Sequence, residues 1–92
     1  MFDTVQKRVC FSGRVQGVGF RYATCAVAAK FKVTGTVKNL PDGRVELIAE
    51  AQAGEIDRFI DAIKNEMRSY VSDMTIEMAP PTGRFEDFRI AY

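Results

Sequence analysis

Ninety-two residues, 47% hydrophobic and 27% charged, describe an ordinary globular chain, expected to form one domain over 1–92 around one modest core. Thirteen Lys and Arg against twelve Asp and Glu give a net charge of +1, too even to mark nucleic acid or a membrane surface as a partner. There is no histidine, which excludes a Ser-His-Asp triad, a Cys-His pair, a phosphohistidine and nearly every zinc enzyme design.

Residues 7–12 place Val9 and Phe11 on one face and Arg8, Cys10 and Ser12 on the other, the alternation of a strand with one buried side. A loop rich in glycine follows, Gly13 to Arg21, with three glycines, two arginines and no acid in nine residues. Phe20 to about Lys32 is predicted as a helix, with four alanines favouring it and Phe20, Ala23, Val27 and Phe31 at helical spacing. Val33–Leu40 is predicted as a strand, Pro41-Asp42-Gly43 as a turn, and Arg44–Ala51 as the second strand of a hairpin, with Val45, Leu47 and Ala49 against Arg44, Glu46, Ile48 and Glu50. From Gly54 a second helix carries Ile56, Phe59, Ile60, Ile63 and Met67 on one face, the strongest periodic signal in the chain. Ser72–Met78 is expected as a strand, Pro80-Pro81-Thr82-Gly83 as a loop, and Arg84–Tyr92 as a last strand with Phe88, Ile90 and Tyr92 on one face.

The order is β-α-β-β-α-β with an extra edge strand near the C-terminus, the α+β, ferredoxin-like sandwich in which an antiparallel sheet carries two helices on one face. No apolar run approaches the roughly 18 residues of a membrane span, and Met1 to Arg8 lack the basic-then-apolar order of a signal peptide. A cytoplasmic location is expected. The two cysteines, Cys10 and Cys25, are too few for a secreted scaffold, and a bridge between them would have to cross the sheet, so free thiols are expected.

A strand, a glycine loop and a helix in succession suit an anion. Backbone N–H groups in a tight loop converge on one point, and the helix N-terminus adds donors and positive partial charge. Gly13, Gly17 and Gly19 permit the backbone angles of such a cradle, and Arg21 can add a bidentate fork for phosphate oxygens. The loop is neither a Walker A loop, since no Gly-Lys-Ser/Thr follows, nor G-x-G-x-x-G, since Gly17-Val-Gly19 is followed by Phe20-Arg21-Tyr22. A plain strand-to-helix turn with Arg14 and Arg21 solvated is the other reading, although three spaced glycines add conformational entropy that a short turn would not. Asn39, just ahead of the Pro-Asp-Gly turn, is a second candidate, in a position where asparagine commonly serves the turn itself.

Along nearly its whole length the chain resembles the acylphosphatase family, in Gly13-Arg-Val-Gln-Gly-Val-Gly-Phe-Arg21, in Gly35-Thr-Val-Lys-Asn39, in Asp42-Gly43 and in the Phe-x-Ile-x-Tyr ending at Phe88–Tyr92. The first segment is highly specific, the second moderately so, and the ending weak alone. The resemblance implies hydrolysis of acyl phosphates to carboxylate and inorganic phosphate. By position, Arg21 would hold the phosphoryl group with the backbone amides of Val15, Gln16, Gly17, Val18 and Gly19, and Asn39 would orient the attacking water. It implies no metal, no cofactor and no covalent phosphoenzyme. Inorganic phosphate is expected as product and competitive inhibitor, neither nucleic acid nor membrane as partner, and the chain as a monomer. Arg14 is read as a solvated rim charge. Thr36, where many members carry an aromatic, and Leu40, where some carry a hydroxyl residue, depart from the pattern and leave open what holds the Asn39 amide.

The chemistry fits an inventory without histidine. A carboxylate leaves readily, and a loose, metaphosphate-like transition state asks mainly for positioning and electrostatic stabilisation. An RNA-recognition module has the same element order but stacks bases on aromatics of a central strand, and Arg44–Ala51 contains none. A non-catalytic anion-sensing domain is the remaining alternative; the presence of both Arg21 and Asn39 argues against it.

Overall fold

The computed structural model describes residues 3–92; Met1 and Phe2, the first two residues of the expected 1–92 domain, lie outside the described residues. Its elements are β1 (Thr4–Gly13), α1 (Phe20–Ala28), β2 (Thr34–Asn39), β3 (Val45–Gln52), α2 (Ala53–Glu66), β4 (Val71–Ala79) and β5 (Phe88–Ile90). The strands form one sheet in the order β4-β1-β3-β2-β5. β1 pairs antiparallel with both β3 and β4, and β2 antiparallel with β3. β5 lies parallel to β2, so the ferredoxin-like sandwich expected from the element order carries a mixed rather than purely antiparallel sheet.

One face of the sheet presents Val9, Phe11, Val37, Val45, Leu47 and Ala49, all completely buried, and both helices close over it. α2 contributes Ile56, Phe59, Ile60 and Ile63, and α1 contributes Phe20, Val27 and Ala28. The period-two and helical patterns in the sequence therefore meet in a single core, with rings of Phe11 and Phe20 at 5.0 Å and of Phe59 and Phe88 at 5.4 Å. Glu55 in the first turn of α2 and Lys64 in its last complement the helix dipole.

Three elements differ from expectation by more than one residue, each for a local reason. α1 ends at Ala28 rather than near Lys32, because the N–H groups of Lys30 and Phe31 turn back to the carbonyls of Val27 and Ala28 and that of Lys32 donates to Glu55 Oε2 at 2.8 Å. That bond, with the Arg58 guanidinium, holds the Glu55 carboxyl below its ordinary pKa. Phe31 still reaches the core, 5.8 Å from Phe59. The last strand shortens to Phe88–Ile90 because its pairing with β2 spans only Gly35–Val37, and the loop before it is held by Glu50, which accepts from the N–H groups of Thr82 and Gly83 at 2.7 and 3.0 Å. β1 begins at Thr4 because pairing with β3 runs out to Gln52.

The opposite face is polar and tied by charge. Arg8 Nε lies 2.6 Å from Glu46 Oε2, and Glu50 also accepts from Gln6 Nε2 at 2.8 Å and Thr82 Oγ1 at 3.0 Å. Cys10, level with Glu46 and Thr75, and Cys25 are both free, and burial pushes the Cys25 thiol pKa up. Among the described residues no helix is long and apolar enough to cross a membrane.

Candidate active site

The loop begins where β1 loses its regular pairing, at the register shift between Ser12 and Gly13. Gly13 has φ +122°, and a Cβ there would lie 2.4 Å from the Tyr70 carbonyl oxygen, so no other residue lets β1 end so close to the chain entering β4. Val15, 1% exposed, and Phe20, 2% exposed, pin the two ends of the loop into the core. Between them Gly17 and Gly19 take φ +77° and +78°, with open space where a Cβ would stand. These two glycines serve the backbone conformation, which places L side chains at a disadvantage of about 1–2 kcal/mol.

Gly19 is the N-cap of α1, with no side-chain cap and no acid in the first turn. The helix therefore starts with unclaimed N–H donors and a positive partial charge facing the loop. Arg21 sits in that first turn. Asn39 is the last residue of β2, paired with Val45 at the mouth of the β2–β3 hairpin. The fold brings the two together: Val15, Gly17, Gly19, Phe20, Arg21, Tyr22 and Asn39 line one cavity of about 110 Å³. Two other hollows, over Lys32, Gln52 and Glu55 and over Lys64 and 71–74, each include an acid and none of the loop residues.

Of the expected set, Val15, Gly17, Gly19, Arg21 and Asn39 line the cavity, whereas Gln16 and Val18 do not. Val18 packs against the core. The Gln16 side chain turns to the hairpin, where Nε2 donates to the carbonyls of Leu40 at 2.8 Å and Arg44 at 2.9 Å. That hairpin is braced by Asp42, which accepts from the backbone N–H of Arg44 at 3.1 Å and from its guanidinium at 2.8 Å; the two bonds, backbone first, lower the Asp42 carboxyl pKa.

The Asn39 side-chain oxygen is buried and has no hydrogen-bond partner among the described residues. An unpaired buried acceptor costs about 1–3 kcal/mol, and the residue that carries it lines the same cavity as Arg21. Two neighbours of Arg21 are not among the expected site residues. Tyr22, next to Arg21, lines the cavity while remaining 70% exposed. The Tyr92 ring, the end of the Phe-x-Ile-x-Tyr motif, stands 5.6 Å from the Arg21 guanidinium carbon, a meeting across the parallel β2–β5 pairing that the motif does not announce. Among the described residues no group of three or more His, Cys, Asp or Glu is placed to hold a metal ion.

An acylphosphatase family model matches residues 7–90. An acylphosphatase of Listeria welshimeri is 58% identical over 62 residues, 67% of this chain and 64% of that one, so the chain spans slightly under two thirds of that relative. An acylphosphatase of Lactobacillus johnsonii is 38% identical over 91 residues, covering 97% of this chain and 98% of that one. The crystal structure of acylphosphatase from Bacillus subtilis is similar with a TM-score of 0.87 at 40% identity, covering 96% of this chain and 99% of that one. With the family pattern running from the first half of β1 to the end of β5, the chain belongs to the acylphosphatase family.

Proposed function

We propose that this chain hydrolyses acyl phosphates to carboxylate and inorganic phosphate by gripping the phosphoryl group at the start of α1 and presenting a water from Asn39. Family membership supports the overall reaction; the residue roles rest on position and chemistry. The backbone amides of Val15, Gln16, Gly17, Val18 and Gly19, with the Arg21 fork, surround the equatorial oxygens on which charge gathers in a loose transition state. The Asn39 side-chain amide hydrogen-bonds the attacking water and needs no pKa tuning to do so. The water's proton passes to a phosphate oxygen of the substrate, and the carboxylate leaves without acid assistance. No metal and no covalent phosphoenzyme enter the scheme, and one copy of the domain supplies every group.

The observation that carries this reading is the meeting of Asn39, Arg21 and Gly19, the N-cap of α1, around one small cavity. The test is hydrolysis of benzoyl phosphate in EDTA by the unsubstituted protein, Arg21→Ala and Asn39→Ala, each checked for folding by circular dichroism. Arg21→Ala is expected to lose nearly all activity. Asn39→Ala is expected to lower kcat by about 10²–10³-fold, the range for one oriented polar group, with a smaller change in KM. The rate should be flat across neutral pH. A rise in KM alone would make Asn39 a binding residue, and no turnover by the folded, unsubstituted protein would leave an anion-binding module.

A further inference from the structure

We propose that the Gln16 side chain is a positioning residue that locks the phosphate loop to the hairpin carrying Asn39, so that the two walls of the cavity stay in register during catalysis. The inference rests on the roles assigned above to the loop and to Asn39.

Its basis is a two-pronged contact. Gln16 Nε2 donates to Leu40 O at 2.8 Å and to Arg44 O at 2.9 Å, and an amide nitrogen has two hydrogens to give. Both donors of one side chain are thus used across the neck of a single hairpin. The same neck is closed by Leu40 N on Arg44 O at 2.8 Å and by Gly43 N on Leu40 O at 3.1 Å. Only this orientation of the amide is compatible with two facing carbonyls, since its oxygen would repel both.

The place matters as much as the contact. Gln16 lies between Val15 and Gly17 on one wall of the cavity, and Leu40 directly follows Asn39 on the other. Among the described residues, these are the hydrogen bonds joining 14–18 to 40–44. Asn39 has no partner for its side-chain oxygen, and Leu40 has no hydroxyl to offer one. Its position is therefore fixed through the backbone, by pairing with Val45 and by the clamp on the next residue. Phosphate binding needs only the loop amides, the helix terminus and Arg21. Attack needs Asn39 held at a set distance from that phosphate, and a displacement of about 1 Å can cost on the order of 10²-fold in rate.

The test uses Gln16→Met, which keeps length and removes both donors, and Gln16→Asn, which keeps the donors and shortens their reach. Folding is verified by urea denaturation. For both, kcat on benzoyl phosphate should fall by about 10- to 100-fold, while KM and the inhibition constant of inorganic phosphate stay within about threefold, as for an interaction made only in the transition state. In an Asn39→Ala background Gln16→Met should cost nothing further, because residues acting as one unit are not additive. An unchanged kcat, a loss that multiplies with Asn39→Ala, or a loss confined to phosphate affinity would overturn the proposal. Should Gln16→Met not fold, hydrogen exchange in the unsubstituted protein decides: the Gln16 side-chain amide protons should exchange more slowly than those of exposed Gln52, and equal rates would refute the clamp. Full activity in Asn39→Ala sinks the reading of Asn39 itself; unchanged Gln16→Met beside a crippled Asn39→Ala sinks the clamp alone.

Discussion

The guanidinium carbon of Arg21 stands 5.6 Å from the centre of the Tyr92 ring, joining the start of α1 to the second residue past β5. Tyr92 is 97% exposed, so the attraction is a solvated cation–π contact, about 0.5–1 kcal/mol. Its use is to narrow the rotamers open to a long side chain that must meet phosphate squarely. Tyr92→Ala should therefore lower kcat/KM by about two- to fivefold, that energy expressed as a rate ratio, and Tyr92→Phe should restore it. A loss beyond about a hundredfold in Tyr92→Ala would make Tyr92 part of the chemistry.

Arg21→Lys should rescue little of what Arg21→Ala loses. A lysine keeps the charge but presents one compact ammonium where the planar fork spans two oxygens, and at a bidentate site that exchange is not conservative. Steady-state hydrolysis of benzoyl phosphate by the two variants checks this. Recovery of more than about a tenth of the unsubstituted kcat/KM in Arg21→Lys would mean that charge alone does the work, through attraction rather than geometry.

Much of the fold and of the loop is legible in the sequence. The alternation of Val45, Leu47 and Ala49 and the spacing of Ile56, Phe59, Ile60 and Ile63 fixed which faces would be buried, because each period matches one geometry. The glycine loop announced its own position between β1 and α1. What stayed hidden depends on tertiary pairing. The C-terminal segment gives no sign that β5 joins β2 in parallel, or that Glu50 holds the Thr82–Gly83 backbone. Nor does anything local say that Gln16 turns its side chain from the loop to the hairpin, since a glutamine in a loop reads as a solvated residue.

The glycines should separate into two classes by stability. At Gly17 a Cβ would meet nothing within 4 Å, so Gly17→Ala pays only for φ +77°, about 1–2 kcal/mol, and should fold while losing activity as the loop distorts. At Gly35 a Cβ would lie 1.8 Å from the Ile48 carbonyl oxygen, backbone that cannot step aside without parting β2 from β3. Urea denaturation should place Gly35→Ala well below Gly17→Ala in stability. Equal midpoints would show that the two strands can separate at that point at no cost.

Acid should release the β4–β5 loop through Glu50. Burial raises the pKa of this carboxyl, but donation from Thr82 N–H, Gln6, Gly83 N–H and the Thr82 hydroxyl outweighs it, and the net shift is downward. A carboxyl whose pKa is lower folded than unfolded contributes stability that is complete above the unfolded value, near about 4.3 for glutamate, and that is lost as pH falls from there through the folded value. The unsubstituted protein should therefore lose stability below about pH 5 more steeply than Glu50→Gln, which keeps the shape and cannot titrate. Glu50→Gln should be the less stable protein at pH 7, where its neutral amide replaces a charge-assisted acceptor and turns a donor toward other donors, and the gap should narrow towards pH 3. Urea midpoints for both proteins across pH 3–7 check it. Parallel curves would mean that Glu50 does not titrate with unfolding, and that the acid sensitivity belongs to exposed carboxylates such as Asp87, whose pKa the Arg89 guanidinium lowers.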